Sequence, residues 1–330
     1  MKLTIDQIKD ITTGASKITY ENGKYQFFRF NDDETEVIDN PNVVATAGIQ
    51  MNFKTDARTL KLKVHTKEVT PIRSYFSFDI FVEDTLVSCI QNMDDDACIG
   101  DYANKTYSLG SFYKEIPLEA GEKSVKIIFP HSAITYIEEI ELVDVTYIVP
   151  VKKDKTIIFY GDSITQGYDS LHPSKSYASR LADALDAEVI NKSLGGAVFD
   201  PRLVEASSIT NPDYIVVAYG TNDWNMVDLD TFRKNAKGFS YAIQKIYPGI
   251  PKYVITPLWR PDWQTTKQCG AFNVLEDTIK EFFENQENIT VVSGFDLIPH
   301  DENIFGDLFL HPSDDGFEHY FKNLLKYFIK

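Results

Sequence analysis

Apolar residues recur along this chain with two different periods, and the change between them falls near residue 150. In the first part the period is two. Leu60, Leu62 and Val64 alternate with Lys61, Lys63 and His65, which predicts a strand buried on one face. Phe76, Phe78, Ile80 and Val82 repeat the pattern, as do Val125, Ile127 and Phe129. Asn22-Gly23 lies between two aromatic-rich runs, the strongest short-range hairpin signal. In the run Ile140 to Tyr147 the apolar parity changes between Leu142 and Val143, which predicts a bulge or a change of sheet there. Many short strands without helical spacing predict an all-β, jelly-roll-like sandwich over residues 1–150, with a linker over 149–155.

Beyond the linker, short apolar runs alternate with helical spacing. Strands are predicted at 156–160, 188–190, 214–219, 253–256 and 289–292, with amphipathic helices between them and a closing helix over 317–329. That alternation predicts an α/β domain over 151–330, a five-stranded parallel sheet covered on both faces. In such a sheet ligands bind beyond the carboxyl ends of the strands. The residues there form a kit for acyl transfer. Gly161-Asp162-Ser163 follows the first strand, Asn191 to Gly196 the second, and Gly220-Thr221-Asn222-Asp223 the third. Trp259-Arg260-Pro261-Asp262-Trp263 comes after the fourth, and Asp307 to His311-Pro312 precedes the last helix. A serine needs a base to become a nucleophile, and histidine serves near neutral pH. The oxyanion that follows needs N–H donors, which Gly196, Asn222 and the N–H of Ser163 offer. Each piece alone has a plainer reading: Ser163 as a helix cap, Gly195-Gly196 as a loop, Asn222-Asp223 as a turn, His311 as an extended residue before proline.

Taken in order, the four blocks over residues 156–330 resemble those of the SGNH hydrolases, the GDSL esterase superfamily, with Ile164 where the family name has leucine. The resemblance implies a flavodoxin-like three-layer fold, Ser163 as nucleophile, Gly196 and Asn222 completing the oxyanion hole, and His311 as base. One position departs. The family's aspartate stands three residues before the histidine, where this chain has Leu308, and Asp307 stands four before. An extended stretch would set Asp307 and His311 on one side and Leu308 on the other, which favours a triad over a Ser–His dyad. A β-sandwich ahead of such a hydrolase resembles the two-domain carbohydrate esterases that deacetylate sugars.

Composition narrows the partners. The chain has 330 residues, 43% hydrophobic and 25% charged, the balance of a globular protein with a full core. No apolar stretch is long enough to span a bilayer, and the N-terminus has no signal-like apolar core, so a cytoplasmic location is expected. Its net charge of −16 disfavours nucleic acid and anionic membrane surfaces. Cys89, Cys98 and Cys269 have no metal-like spacing, and the dispersed acids, including the run at 93–96, read as solvated surface. The expected activity is hydrolysis of a small acyl ester, an acetylated sugar foremost, with no cofactor and no metal. A thioesterase or lysophospholipase, or a glycan-binding protein with a vestigial site, are the alternatives. Trp259 and Arg260 are the candidate substrate-binding residues; His65, His131, His172, His300 and His319 lack the context of His311. The sequence sets no oligomeric state.

Overall fold

A computed structural model describes residues 1–69, 73–94 and 105–329; Asp95, Asp96 and Cys98 lie outside these. The period-two half builds two facing antiparallel sheets. The strands are β1 (Thr12–Thr13), β2 (Lys17–Glu21), β3 (Lys24–Phe28), β4 (Gln50–Thr55), β5 (Thr59–Glu68), β6 (Ser77–Val82), β7 (Thr85–Gln91), β8 (Gly110–Pro117), β9 (Lys123–Ile128), β10 (Ala133–Val143) and β11 (Ile148–Pro150). One sheet runs β2-β3-β10-β5-β8 and the other β1-β4-β9-β6-β7, with β11 added beside β4. Alternate residues fill the space between them: Leu60, Leu62 and Val64 meet Phe53, Phe78, Ile80, Val125 and Ile127. Asn22 and Gly23 both take positive φ, the I′-type hairpin conformation that Asn-Gly favours.

A change of sheet follows Leu142/Val143, one of the two outcomes expected there: β10 ends at Val143 beside β5, and β11 joins the other sheet beside β4. The bulge in β10 lies earlier, between Ile137 and Glu139, where the glutamates at 138 and 139 shift the parity. Two local expectations need correction. Val149 and Pro150 belong to β11, so the linker shortens to residues 151–154. Two short helices, α1 (Ile5–Ile11) and α2 (Asp32–Val37), interrupt the β half, each started by a capping box, Thr4 with Gln7 and Asn31 with Glu34.

The second half carries the parallel sheet of β12 (Lys155–Gly161), β13 (Ala187–Asn191), β14 (Tyr214–Ala218), β15 (Lys252–Ile255) and β18 (Ile289–Val292), with a small hairpin, β16 (Thr266–Lys267) and β17 (Gly270–Ala271), after β15. The spatial order is β13-β12-β14-β15-β18, the flavodoxin-like order. Every strand of this sheet is paired in parallel. Both faces are covered. Ile157 and Phe159 pack with helices α4 (Tyr177–Ala184) and α9 (Asp314–Leu325). Ile158 and Tyr160 pack on the other side with α5 (Pro201–Glu205), α7 (Leu229–Ile246) and α8 (Asn273–Phe283). The short α3 (Ser163–Gln166) and α6 (Asp223–Met226) follow β12 and β14. The order reverses at β12, so the strand that ends in Gly161-Asp162-Ser163 stands at the switch point where such folds bind ligands. No helix among the described residues is long and apolar enough to cross a membrane.

Candidate active site

Backbone geometry explains why β12 delivers a serine. A side chain on Gly161 would come within 2.8 Å of the Ala218 carbonyl, so only glycine lets β12 turn this tightly beside β14. Asp162 then caps α3, its Oδ1 accepting the Ile164 N–H at 2.9 Å. Burial pushes Asp162 up to about 6, against the lowering pull of that N–H and of His311. Ser163 follows at the first position of α3.

The loop before α9 brings up the imidazole. Ser163 Oγ stands 2.8 Å from His311 Nε2, and His311 Nδ1 stands 2.7 Å from Asp307 Oδ2. The path between Asp307 and His311 is a tight turn, not the extended stretch expected from the sequence. Leu308 has φ +58°, Gly306 N–H donates to the His311 carbonyl at 2.7 Å, and Leu308 is exposed. Asp307 Oδ1 accepts the backbone N–H groups of Phe309, Leu310 and His311 at 3.0, 2.7 and 3.0 Å. One oxygen thus shapes the loop while the other faces the ring. Burial would raise the Asp307 pKa, but His311 and these N–H groups outweigh it and hold the carboxyl well below its usual range.

Gly196 has φ +78° and open space where a side chain would sit; it is exposed at the edge of the sheet. Its neighbour Gly195 is pinned: its N–H donates to Gln166 Oε1 at 2.7 Å, and its carbonyl accepts from Asn40 Nδ2 at 2.9 Å and Asn42 Nδ2 at 3.3 Å. Asn222 donates one side-chain N–H to the Ala197 carbonyl at 3.0 Å, which fixes the amide against the same loop. Beneath it, burial pushes Asp223 up to about 7 even though its oxygens accept the Phe199 and Gly220 N–H groups at 3.2 and 3.1 Å. A cavity of about 200 Å³ opens beside Gly196, lined by Val37, Ile38, Leu194, Ala197, Val198 and Tyr219 among others.

The sandwich half reaches into this site, which sequence reasoning missed. Arg73 binds Asp169 with two parallel bonds of 2.8 and 3.0 Å, and its Nη2 lies 3.1 Å from His311 Nδ1 and 3.5 Å from Asp307 Oδ2. Asp169, fully buried, also accepts the Tyr75 hydroxyl at 3.0 Å and donates its own N–H to that oxygen at 2.8 Å. Burial would lower the Arg73 pKa, but Asp169 more than compensates, so the guanidinium stays charged. Asn40, Asn42, Arg73 and Tyr75 precede residue 150 and fall in no recognisable motif; only the turn chemistry around Asn40-Pro41 hints at them.

Trp259 and Arg260 are already occupied. Trp259 stacks on His300 and Phe305 at 5.3 and 5.9 Å, inside the α/β half and away from the sandwich. The Arg260 fork is bound to Asp262, at 2.5 and 3.1 Å, and lies over the rings of Trp224 and Phe309. Both residues brace the loop after β15 against the loop that carries His311. Trp263 instead lines a separate cavity of about 320 Å³ with Phe272 and Phe295. His131 is buried as packing, with no hydrogen-bond partner on either ring nitrogen among the described residues, and burial pushes it down to about 4.

Residues 159–319 match the family model described as GDSL-like Lipase/Acylhydrolase. No curated protein is similar enough in sequence to match. Among solved structures, the salicylyl-acyltransferase SsfX3 from a tetracycline biosynthetic pathway superposes with a TM-score of 0.78 at 18% identity, over 96% of this chain and 92% of that one. A GDSL-like lipase from Bacteroides ovatus gives 0.73 at 17% identity, over 96% and 94%. The acetyl xylan esterase Est2A from Butyrivibrio proteoclasticus gives 0.63 at 15% identity, over 99% and 97%. These likenesses span both halves, so the pairing of a sandwich with this α/β sheet is a shared architecture. The match runs from the last residues of β12 into α9 and encloses Ser163, Gly196, Asn222 and His311, so residues 159–319 are the part of the chain similar to the GDSL-like lipase/acylhydrolase family.

Proposed function

We propose that the protein is a serine esterase that cleaves small acyl esters, with Ser163, His311 and Asp307 as its triad. The observation that carries this reading is the continuous chain of short bonds from Ser163 Oγ through both ring nitrogens to Asp307. In the proposed mechanism Ser163 Oγ attacks the acyl carbonyl while His311 Nε2 takes its proton. The ester C–O bond then breaks, and the alcohol leaves with that proton. Water attacks the acyl-enzyme, again giving a proton to His311; the acyl–Oγ bond breaks, His311 returns that proton to Ser163 Oγ, and the acid leaves. Asp307 holds Nδ1–H and supports the imidazolium, while the N–H groups of Ser163, Gly196 and Asn222 receive the oxyanion.

The substrate reading is an acetyl or similarly short ester on a carbohydrate. The cavity beside Gly196 supports it, since about 200 Å³ is below the roughly 300–1,000 Å³ of pockets for drug-sized ligands. The architecture shared with an acetyl xylan esterase supports it further. In this reading residues 151–330 carry the chemistry and residues 1–150 form an accessory domain that braces the site through Arg73, Asn40 and Asn42. A fluorophosphonate probe tests the nucleophile. The expected result is labelling at Ser163, with Ser163→Ala unlabelled and roughly 10⁴- to 10⁶-fold slower on acetyl esters. An unlabelled wild-type chain would instead mark a vestigial site and favour glycan binding.

A further inference from the structure

Where strands β6 and β7 of the sandwich meet the loop after α3, three side chains from three separate segments converge. Asp79 on β6, Cys89 on β7 and His172 on the loop after α3 bring one ligand atom each to a single point. Asp79 Oδ1 lies 2.9 Å from His172 Nδ1 and 3.7 Å from Cys89 Sγ, and Cys89 Sγ lies 3.8 Å from His172 Nδ1. A triangle with those sides has a circumscribed circle of radius about 2.0 Å. A cation about 0.7 Å above its plane would stand about 2.1 Å from each atom, close to the zinc–nitrogen, zinc–oxygen and zinc–sulfur distances of about 2.0–2.3 Å. A histidine–aspartate ion pair accounts for the shortest side of the triangle alone. It gives no reason for a thiol at near-equal distance from both partners.

The surroundings match what a metal ligand set needs. Asp79 is fully buried, and its carboxylate is oriented by outer bonds, Ser77 Oγ donating to Oδ1 at 2.8 Å and Ser174 N–H to Oδ2 at 3.0 Å. Cys89 and His172 also line a groove of about 650 Å³ with Gln91, Phe112 and Lys114, so a fourth coordination position faces open space. We propose that Asp79, Cys89 and His172 form a binding site for a thiophilic divalent cation, zinc foremost, with the fourth position open to water or a small ligand from the groove. The mixed sulfur, nitrogen and oxygen donors suit zinc and disfavour the hard cations magnesium and calcium, which take oxygen. Binding displaces the thiol proton of Cys89 and leaves Nδ1 of a neutral His172 as ligand. This site shares no residue with Ser163, His311 or Asp307, and its existence does not depend on the ester chemistry.

The test uses the full chain with Cys98→Ser and Cys269→Ser, so that Cys89 is the one remaining thiol. Titration with Co²⁺ is expected to give a thiolate-to-cobalt charge-transfer band that saturates at one equivalent, and Zn²⁺ is expected to abolish it by competition. Cys89→Ser, which keeps the Asp79–His172 pair, should remove the band. His172→Gln should weaken Zn²⁺ binding by more than the roughly 10- to 100-fold lost with an outer partner. Ser163→Ala should bind as before. Should a variant fold poorly, protection of Cys89 from iodoacetamide by Zn²⁺ in the otherwise unaltered chain reads the same contact. A chain that binds no stoichiometric Co²⁺, a band that survives Cys89→Ser, or alkylation of Cys89 unaffected by Zn²⁺ would overturn the site.

Discussion

Replacing Arg73 should change the pH at which the enzyme works more than its maximal rate. The groups facing His311 are Asp307 on its own loop, Asp169 at 3.6 Å, Arg73 at 3.1 Å, the Asp162 carboxyl behind Ser163, and the Tyr168 ring at 5.8 Å. With Arg73 in place, its charge offsets one of the two nearest carboxylates. Arg73→Met leaves Asp169 and Asp307 both facing the ring with no cation between them, so the imidazolium becomes easier to form. At an effective dielectric near 20 a unit charge about 4 Å away is worth about 4 kcal/mol before relaxation. The loss in kcat/KM should therefore fall chiefly on the acid limb of its pH profile, on the order of tenfold or more relative to the parent. Stability falls too, because taking the guanidinium away from a fully buried Asp169 costs roughly 3–5 kcal/mol. The double variant Arg73→Met/Asp169→Asn separates the two effects. It removes one charge of each sign and should return the limb toward that of the parent. The assay is kcat/KM for an acetyl ester across the pH range for the parent, Arg73→Met, Arg73→Lys and the double variant. An acid limb that stays put in Arg73→Met while the rate falls at every pH would refute the electrostatic role and leave Arg73 as packing.

Asp307→Asn should lose on the order of 10⁴ in kcat, measured by steady-state hydrolysis, because the wrong tautomer of His311 is then favoured; a loss under about tenfold would make the site a dyad. Gly196→Ala meets no neighbouring atom but must hold φ +78°, so thermal melting should show a loss of about 1–2 kcal/mol and kcat should drop with the displaced N–H. Lys192 and Glu34 form a fully buried pair at 2.7 Å, so Lys192→Met should cost roughly 3–5 kcal/mol in urea unfolding, with much of it recovered by adding Glu34→Gln. Across an ester series, acetyl and propionyl should be cleaved far faster than chains of eight or more carbons; the reverse order would point to a lipase or lysophospholipase.

What was legible beforehand is what depends on neighbours in the chain. The central parallel strands β12, β14 and β15 could be placed because a strand covered on both faces must be an apolar run, and the blocks at their ends sit where the sheet edge lies. The change of sheet after β10 could be read from the parity at Leu142/Val143, but the bulge at Ile137/Glu139 could not, since two adjacent glutamates look like ordinary surface until the partner strand is known. Asp307 reaches His311 by another path than the extended stretch expected: a left-handed Leu308 and three backbone N–H groups bend the loop, and neither is written in a spacing. Arg73, Asp169 and Asn42 stayed hidden because they meet only through tertiary folding, across 96 residues in the case of Arg73 and Asp169. Trp259 and Arg260 suggested a pocket wall by residue type, but packing had already claimed both.

Arg29 shows how far the two halves are one object. Entirely buried, it sends its Nη1 to the carbonyls of Asn191, the last residue of β13, and Ser193, both at 2.9 Å, and its Nη2 to the carbonyl of Asn42 at 2.9 Å. The strand that leads to Gly196 therefore ends in oxygens whose donor lies far upstream in the sequence. A gene fragment cut at the family boundary would strip those oxygens, and the Gly195 carbonyl beside them, of the donors that hold them in place, and would open the loop before Gly196 to water. Swapping the sandwich for another module, the ordinary route by which enzymes acquire new targeting, is closed to this chain unless the newcomer also brings an arginine and two asparagines to the same three points.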